Sequence, residues 1–357
     1  GTFDTQNLTI GRGGSNMNGG AADSVRNTEN ESLTLVYADA TKGWLAVEEG
    51  TGNVGEIFIV ATGGTITCSG DYKIHTFTGP GTFTVCSVGN PFGSDEVSYM
   101  VVAAGGGAGG YTGGGGAGGF RESKASSDCY SASPLNATCG PGFNLPVSAQ
   151  GYPITVGGGG AASTTNAGQG TDGGNSIFST ITSTGGGGSA GDTAPTRDGR
   201  SGGSGGANAY IPTNPVLGAI GAGNTPPVSP PQGNSSRPGV GNRTGQGGGG
   251  AGNPASSGPG ASGGNGDSNS ITNSAVTRAG GGGGGGGNGV TTDWPGGSGG
   301  GGAGSGSSGV APSTCGGTGV SGSGNTGGGG GGKGAGGTGS AGGGGSGIVI
   351  LRYKFQN

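Results

Sequence analysis

The chain has 357 residues, 104 of them glycine, with 9% charged and a formal net charge of −4. Glycine and proline together make up about a third of it, above the ~25–30% at which low complexity is the default reading, yet so few charges argue against a simple disordered tail. Runs such as 280–287 break the collagen period, the 14 Lys and Arg form no basic cluster for nucleic acid, and no apolar run approaches the ~18 residues of a transmembrane helix.

In chain order, residues 1–62 read as a small β module. The opening Gly1-Thr2-Phe3 carries no initiating Met and no basic-then-apolar leader, as a processed or truncated product would. Strands are predicted at 8–10, 33–37, 44–47 and 57–60, with 39–43 as a hairpin loop whose Gly43 takes the left-handed position. So thin an apolar core favours oligomerisation of this part. Residues 63–357 form the second region. Strands are predicted at 65–68, 72–77 and 81–86, broken by Ser69-Gly70-Asp71 and by 78–81. As a meander these would hold Cys68 and Cys86 about 10 Å apart, too far for a bridge unless the outer strands are adjacent or face each other across a sandwich, and a buried free thiol is the equal alternative for each. Cys129 and Cys139 flank a short insertion and are the disulfide candidate; Cys315 stands alone among glycines. No pair has zinc-type spacing, so no metal site is expected.

Residues 105–347 alternate glycine runs with polar or proline-bearing spacers, bracketed by strand-like segments at 97–102 and 348–353. Strand character also persists at 152–156 and 176–178. No helix is predicted, since no 3.6-residue period survives this much glycine. Bare peptide runs bury no apolar area, so each is either a tether or a thread whose N–H and C=O groups pair with other threads. In polyproline-II geometry a run of ~9 residues spans ~28 Å, and parallel threads satisfy one another with help from Cα–H···O contacts. The C-terminal strand favours the ordered bundle, because 99–102 and 348–351 can pair as a clamp that a tether would not need. The expected fold is therefore mainly β with little or no helix: strands at 63–104, a polyglycine-II bundle at 105–347, and a closing strand at 348–355.

No enzyme is read here and no cofactor is implied. His75, out of phase with Ile74, reads as a solvent-face strand histidine rather than a catalytic base. Dinucleotide-type glycine signatures recur without the strand and helix they require. Gly332-Lys333-Gly334 lacks the following Ser or Thr of a phosphate loop, and the nucleophile-elbow match at 296–300 is fortuitous. The 18 carboxylates are dispersed and read as solvated loop charge. The sequons at Asn136 and Asn234 carry no weight without a secretory leader. Against this background the aromatics set in polar, glycine-flanked spacers stand out: Tyr111, Tyr130, Phe143, Tyr210 and Trp294. They are receptor-contact candidates, because aromatics give contact area at low entropy cost. The alternative is that each packs as a lid over the bundle.

The hairpin of residues 71–85, then 99–104 and a glycine run, then the final 347–353 together resemble the glycine-rich domain of tailed-bacteriophage fibre and tail proteins, over roughly residues 63–355. The opening 8–16 with 33–44 resembles a small β module of structural proteins from marine T-even-like phages. The architecture is also similar to tail-fibre adhesins of some T-even-like phages. That resemblance implies polyglycine-II threads whose loops at a distal tip contact the host. It further implies an extracellular virion protein whose partners are a host surface protein or glycan and other virion proteins. The fibre resemblance and the thin N-terminal core favour a homotrimer through the N-terminal module, with neither nucleic-acid binding nor membrane insertion. A self-assembling extracellular filament or matrix subunit is the alternative; ice binding would need regular spacers that this chain lacks.

Overall fold

The computed structural model describes residues 7–17, 19–26, 32–50, 57–90, 94–110, 113–139, 143, 145–165, 167–193, 195–208, 218–238, 245–256, 262–287, 290–307, 317–335 and 339–356. Among these, all regular structure is β. The chain divides into two compact units, Gly1–Phe58 with Gly89–Ser94, and Ile59–Val88 with Asp95–Asn357.

In the first unit β1 (Leu8–Ile10) pairs with β2 (Ser24–Arg26), and β3 (Ser32–Asp39) with β4 (Gly43–Gly50). The predicted 39–43 turn forms. Asp39 Oδ1 accepts the N–H groups of Thr41 (2.7 Å) and Lys42 (2.6 Å), and Gly43 has a φ of 72°. A side chain there would also run into the Asn16 carbonyl. Among this unit's residues whose side chains are described, which leave out 26, 32 and 47–50, none buries an apolar side chain.

The second unit contains β5 (Val60–Thr62), β6 (Thr65–Ser69), β7 (Tyr72–Phe77), β8 (Gly81–Ser87), β9 (Glu96–Val102), β10 (Phe120–Ser123), β11 (Leu145–Pro146), β12 (Gly151–Thr155), β13 (Ser176–Phe178), β14 (Ile181–Ser183), β15 (Asp267–Asn269), β16 (Val276–Arg278) and β17 (Ile348–Lys354). One sheet runs β10-β9-β17-β7-β6, with β11 also on β9. The other runs β14-β13-β12-β8-β5, and β15 and β16 form a hairpin. The expected clamp is formed: β17 lies antiparallel to β9, with Ile348 opposite Val102 and Leu351 opposite Tyr99. The strand expected at 57–60 lies instead at Val60–Thr62. Residues 65–86 do not make a meander. After β7 the chain crosses to the other sheet, where β8 buries Phe83 and Val85 against the inner face of the first. That apolar gain is what a third strand in a flat meander would forgo.

His75 is not on a solvent face; it is fully buried, as is its neighbour Ile74. Both faces of β7 are covered, one by the second sheet and the other by the 124–139 insertion and the β15–β16 hairpin, so alternation along this strand does not separate inside from outside. His75 Nδ1 lies 2.7 Å from the Gly63 carbonyl and Nε2 3.2 Å from the Tyr353 hydroxyl. Burial is the main cause that lowers its pKa; Lys73 adds to the effect and the Gly63 bond opposes it.

The glycine runs are ordered threads whose donors repeat every third residue. Gly114 and Ala117 donate to Gln246 and Gly249; Gly115 and Gly118 to Gly330 and Gly327; Gly116 and Gly119 to Gly187 and Thr184. Thread 103–110 does likewise, with Ala104 and Gly107 donating to Gly174 and Thr171, and Gly105 and Ala108 to Gly345 and Gly342. A threefold repeat of donor direction is the signature of polyproline-II geometry. The bundle departs from the expected parallel packing: numbering rises together in 114–117 and 246–249 but runs oppositely in 115–118 and 330–327. A chain that turns back after each short run places its threads in both directions, and bare peptide groups pair either way.

Candidate recognition surface

Thread register separates two ends of the bundle. Threads leave β9, β12, β14 and β16 and re-enter at β10, β13, β15 and β17, so one end is the sandwich. At the far end, Gly110 bonds to Gly168, Ala190 to Ala207, Ala207 to Gly114, Gly245 to Gly285, and Gly334 to Gly317. Asn208 Nδ2 donates to the Gly218 carbonyl at 2.6 Å, bracing the two sides of the connection between them. Described connections here include 164–165, 192–193, 195–196 and 290–294. Thr164, Thr165 and Thr193 are exposed, and the Thr196 N–H bonds to the Thr193 carbonyl. Asp293 Oδ1 accepts the Gly306 N–H at 2.6 Å, tying its connection to a thread.

The candidate aromatics do not gather. Tyr111 and Tyr210 lie outside the described residues. Trp294 lies part-way along its thread, level with Gly283, half-buried and bridged to Gly304, with an indole nitrogen that is buried and meets no acceptor. Phe143 is 39% exposed but belongs to the insertion between β10 and β11, beside the sheets. Tyr130 is buried against the outer face of the first sheet, which withdraws it from any exposed contact surface. It takes the lid alternative instead.

The disulfide considered between Cys129 and Cys139 is absent: both are exposed free thiols. Hydrogen bonds hold their insertion instead. The Ala137 N–H donates to the Glu122 carbonyl, and the Lys124 N–H to Asn136 Oδ1, both at 2.8 Å.

Beneath that insertion lies a charged cluster that the sequence reading missed. Asp128 and Arg352 form a buried ion pair at 2.9 Å. Asp128 also accepts the Ser98 hydroxyl at 2.8 Å, and Arg352 donates to the Ile271 carbonyl at 3.2 Å. The guanidinium stacks over Tyr72 at 4.3 Å and faces Tyr130 at 5.6 Å. Glu122, buried beside them, accepts the Ser133 N–H at 3.0 Å. Burial pushes its carboxyl pKa up, and burial likewise raises Tyr72 to about 12. So the carboxylates are not all solvated loop charge. The legible signal was phase: Arg352 shares a strand face with Ile348 and Ile350, and a charge in step with apolar residues implies a buried partner. The cluster pins the insertion to the sandwich.

The model of a family described as a glycine-rich domain matches residues 76–354. No curated protein matches the chain.

Proposed function

We propose that this chain, which belongs to the glycine-rich domain family, is a tailed-bacteriophage fibre or adhesin component whose far-end connections bind the host cell surface. The observation that carries this reading is the threefold bonding of the inner threads 103–110 and 114–119, whose donors in every direction meet acceptors inside the bundle. Such a lattice is held mainly by backbone bonds and asks little of the side chains in its connections, and loops on a rigid scaffold are where recognition usually resides. The ligand is a surface protein or glycan. Of the described candidate aromatics Trp294 lies nearest that end, while Phe143 and Tyr130 lie beside the sheets.

The first unit serves attachment and oligomerisation, as a homotrimer within the virion. Leu8, Val25, Val36, Tyr37 and Trp44 are all exposed. A groove of about 500 Å³ lined by Ile10, Arg12, Met17, Leu35 and Trp44 opens on the same unit. A β module whose described side chains bury so little apolar surface gains stability from association.

The test replaces 209–217 and 290–294 with glycine–serine segments of equal length and measures adsorption to host cells. Lost adsorption with an unchanged unfolding midpoint supports the reading; unchanged adsorption by both variants refutes it.

A further inference from the structure

Cys68 and Cys86 have no part in the surface described above. They sit on strands of different sheets, β6 and β8, where the edge of the sandwich closes. The chain passes from β5 in one sheet to β6 in the other through Gly63 (φ 110°) and Gly64 (φ 64°), joining the two edges by a corner.

Register puts Cys68 in line with Tyr353, and the Tyr353 hydroxyl meets Ala61, which faces Val85 beside Cys86. Cys68 is opposite Lys73, and Lys73 is opposite Tyr353, so the three form a row across the first sheet. Cross-strand partners share a face, and Tyr353 points into the core between the sheets, its ring centroid 6.3 Å from that of Phe83 on β8. Cys68 therefore belongs to the inner row. Cys86 is the extra residue of a bulge: Ala61 faces Val85 while Val60 faces Ser87, leaving Cys86 without a cross-strand partner. A bulge re-aims its side chain away from the regular alternation. Both sulfurs lie near enough to the Tyr353 hydroxyl to help raise its pKa. Both thiols are free and exposed, hence open to an oxidant. Cys129 contacts Tyr72 on the opposite face of the first sheet, so the sheet stands between it and Cys68.

We propose that Cys68 and Cys86 form a reversible inter-sheet disulfide that staples the closed edge of the sandwich. Strands of the two sheets of a β-sandwich do support such bridges. The oxidant is a small-molecule disulfide. One cysteine, as thiolate, attacks it to give a mixed disulfide and release one thiol. The second then attacks the protein sulfur of that mixed disulfide, forming the Sγ–Sγ bond and releasing another thiol. Two protein thiols lose two protons and two electrons, and the oxidant takes up both.

The experiment treats the reduced full-length chain with oxidised glutathione, alkylates remaining thiols, and maps unreduced proteolytic peptides by mass spectrometry. The expected result is one cross-link joining the peptides that carry Cys68 and Cys86, and oxidation that raises the unfolding midpoint of the wild type but not of Cys68→Ser or Cys86→Ser. The proposal fails if both residues are recovered alkylated, if Cys68 is joined to Cys129, Cys139 or Cys315, or if the bridge links two chains. Peptide mapping of the wild type decides this even should a serine variant fold poorly.

Discussion

A single methyl group separates the two roles a glycine can play in this bundle. Gly115 sits mid-thread, donating to Gly330 at 2.8 Å and accepting from Gly282 at 2.9 Å. A Cβ added there would lie 2.8 Å from the Gly106 carbonyl carbon and 3.1 Å from that of Gly107, with the Gly106 oxygen closer still. Relief requires the 103–110 thread to move by about 1 Å, which takes the bonds of Gly106 to Gly116 (2.9 Å) and from Gly330 (3.0 Å) out of range. Overpacking costs about 1–3 kcal/mol and each lost bond about 1 kcal/mol, partly offset by a stiffer unfolded chain, so Gly115→Ala should cost about 2–4 kcal/mol. Gly158 is exposed, has nothing within 4 Å of its would-be Cβ, and does not adopt a positive φ. Gly158→Ala should stabilise by about 0.4–1 kcal/mol through the unfolded state alone. Denaturant midpoints of the two variants, with amide exchange at Gly106 and Gly330, measure the contrast. Equal stabilities would mean that the threads are not packed as described, and the scaffold argument would go with them.

Two further perturbations probe the sandwich. The folded-state pKa of His75 is lowered from 6.5, so the unfolded chain binds its proton first. Its contribution is intact above about 6.5, declines as pH falls below that, and is fully lost once pH is under the folded value. Glu122, raised from 4.5, has the reverse slope, intact below 4.5 and lost as pH rises through its folded value. The difference in unfolding midpoint between wild type and His75→Gln isolates the histidine; a difference that is flat from pH 8 to 5 contradicts its buried placement. Asp128→Ala leaves Arg352 charged and unpaired in the interior, for a loss of about 3–5 kcal/mol, whereas Asp128→Ala with Arg352→Met should lose less than the single variant. Denaturant unfolding of both tests this, and a double variant that is the weaker of the two would show that the pair is not the source of the cost.

What the sequence disclosed followed side-chain chemistry. Strands at 72–77, 97–102 and 348–353 were legible from β-branched and aromatic residues, and the clamp between the last two from their position around the glycine runs. The turn at 39–43 was legible because Asp39 and Gly43 have specific turn roles. His75 was misplaced because alternation separates buried from solvent only when one sheet face is wet; here both faces are covered, one of them by residues far along the chain such as Ile271. Tyr130 looked like a loop aromatic because nothing local signals that the insertion folds back onto Met100 and Phe120. Thread direction was unreadable in principle, since a glycine run carries no side chain by which its two ends differ.

That same blankness explains how folding and recognition can be kept apart in one chain. The sandwich core, built on Phe83, Tyr99, Phe178 and Tyr353, and the thread bonds fix the fold without reference to what joins the threads. Doubling the length of a flexible loop adds only about 0.6 kcal/mol of closure entropy, several times less than one methyl in the thread at Gly115. Mutational tolerance should therefore follow exposure and packing rather than residue type. Substitutions are cheap where a position faces solvent, as at Gly158, and costly where a carbonyl of another thread already occupies the space, as at Gly115. On the proposed reading, this contrast lets contact residues turn over while the scaffold beneath them stays unchanged.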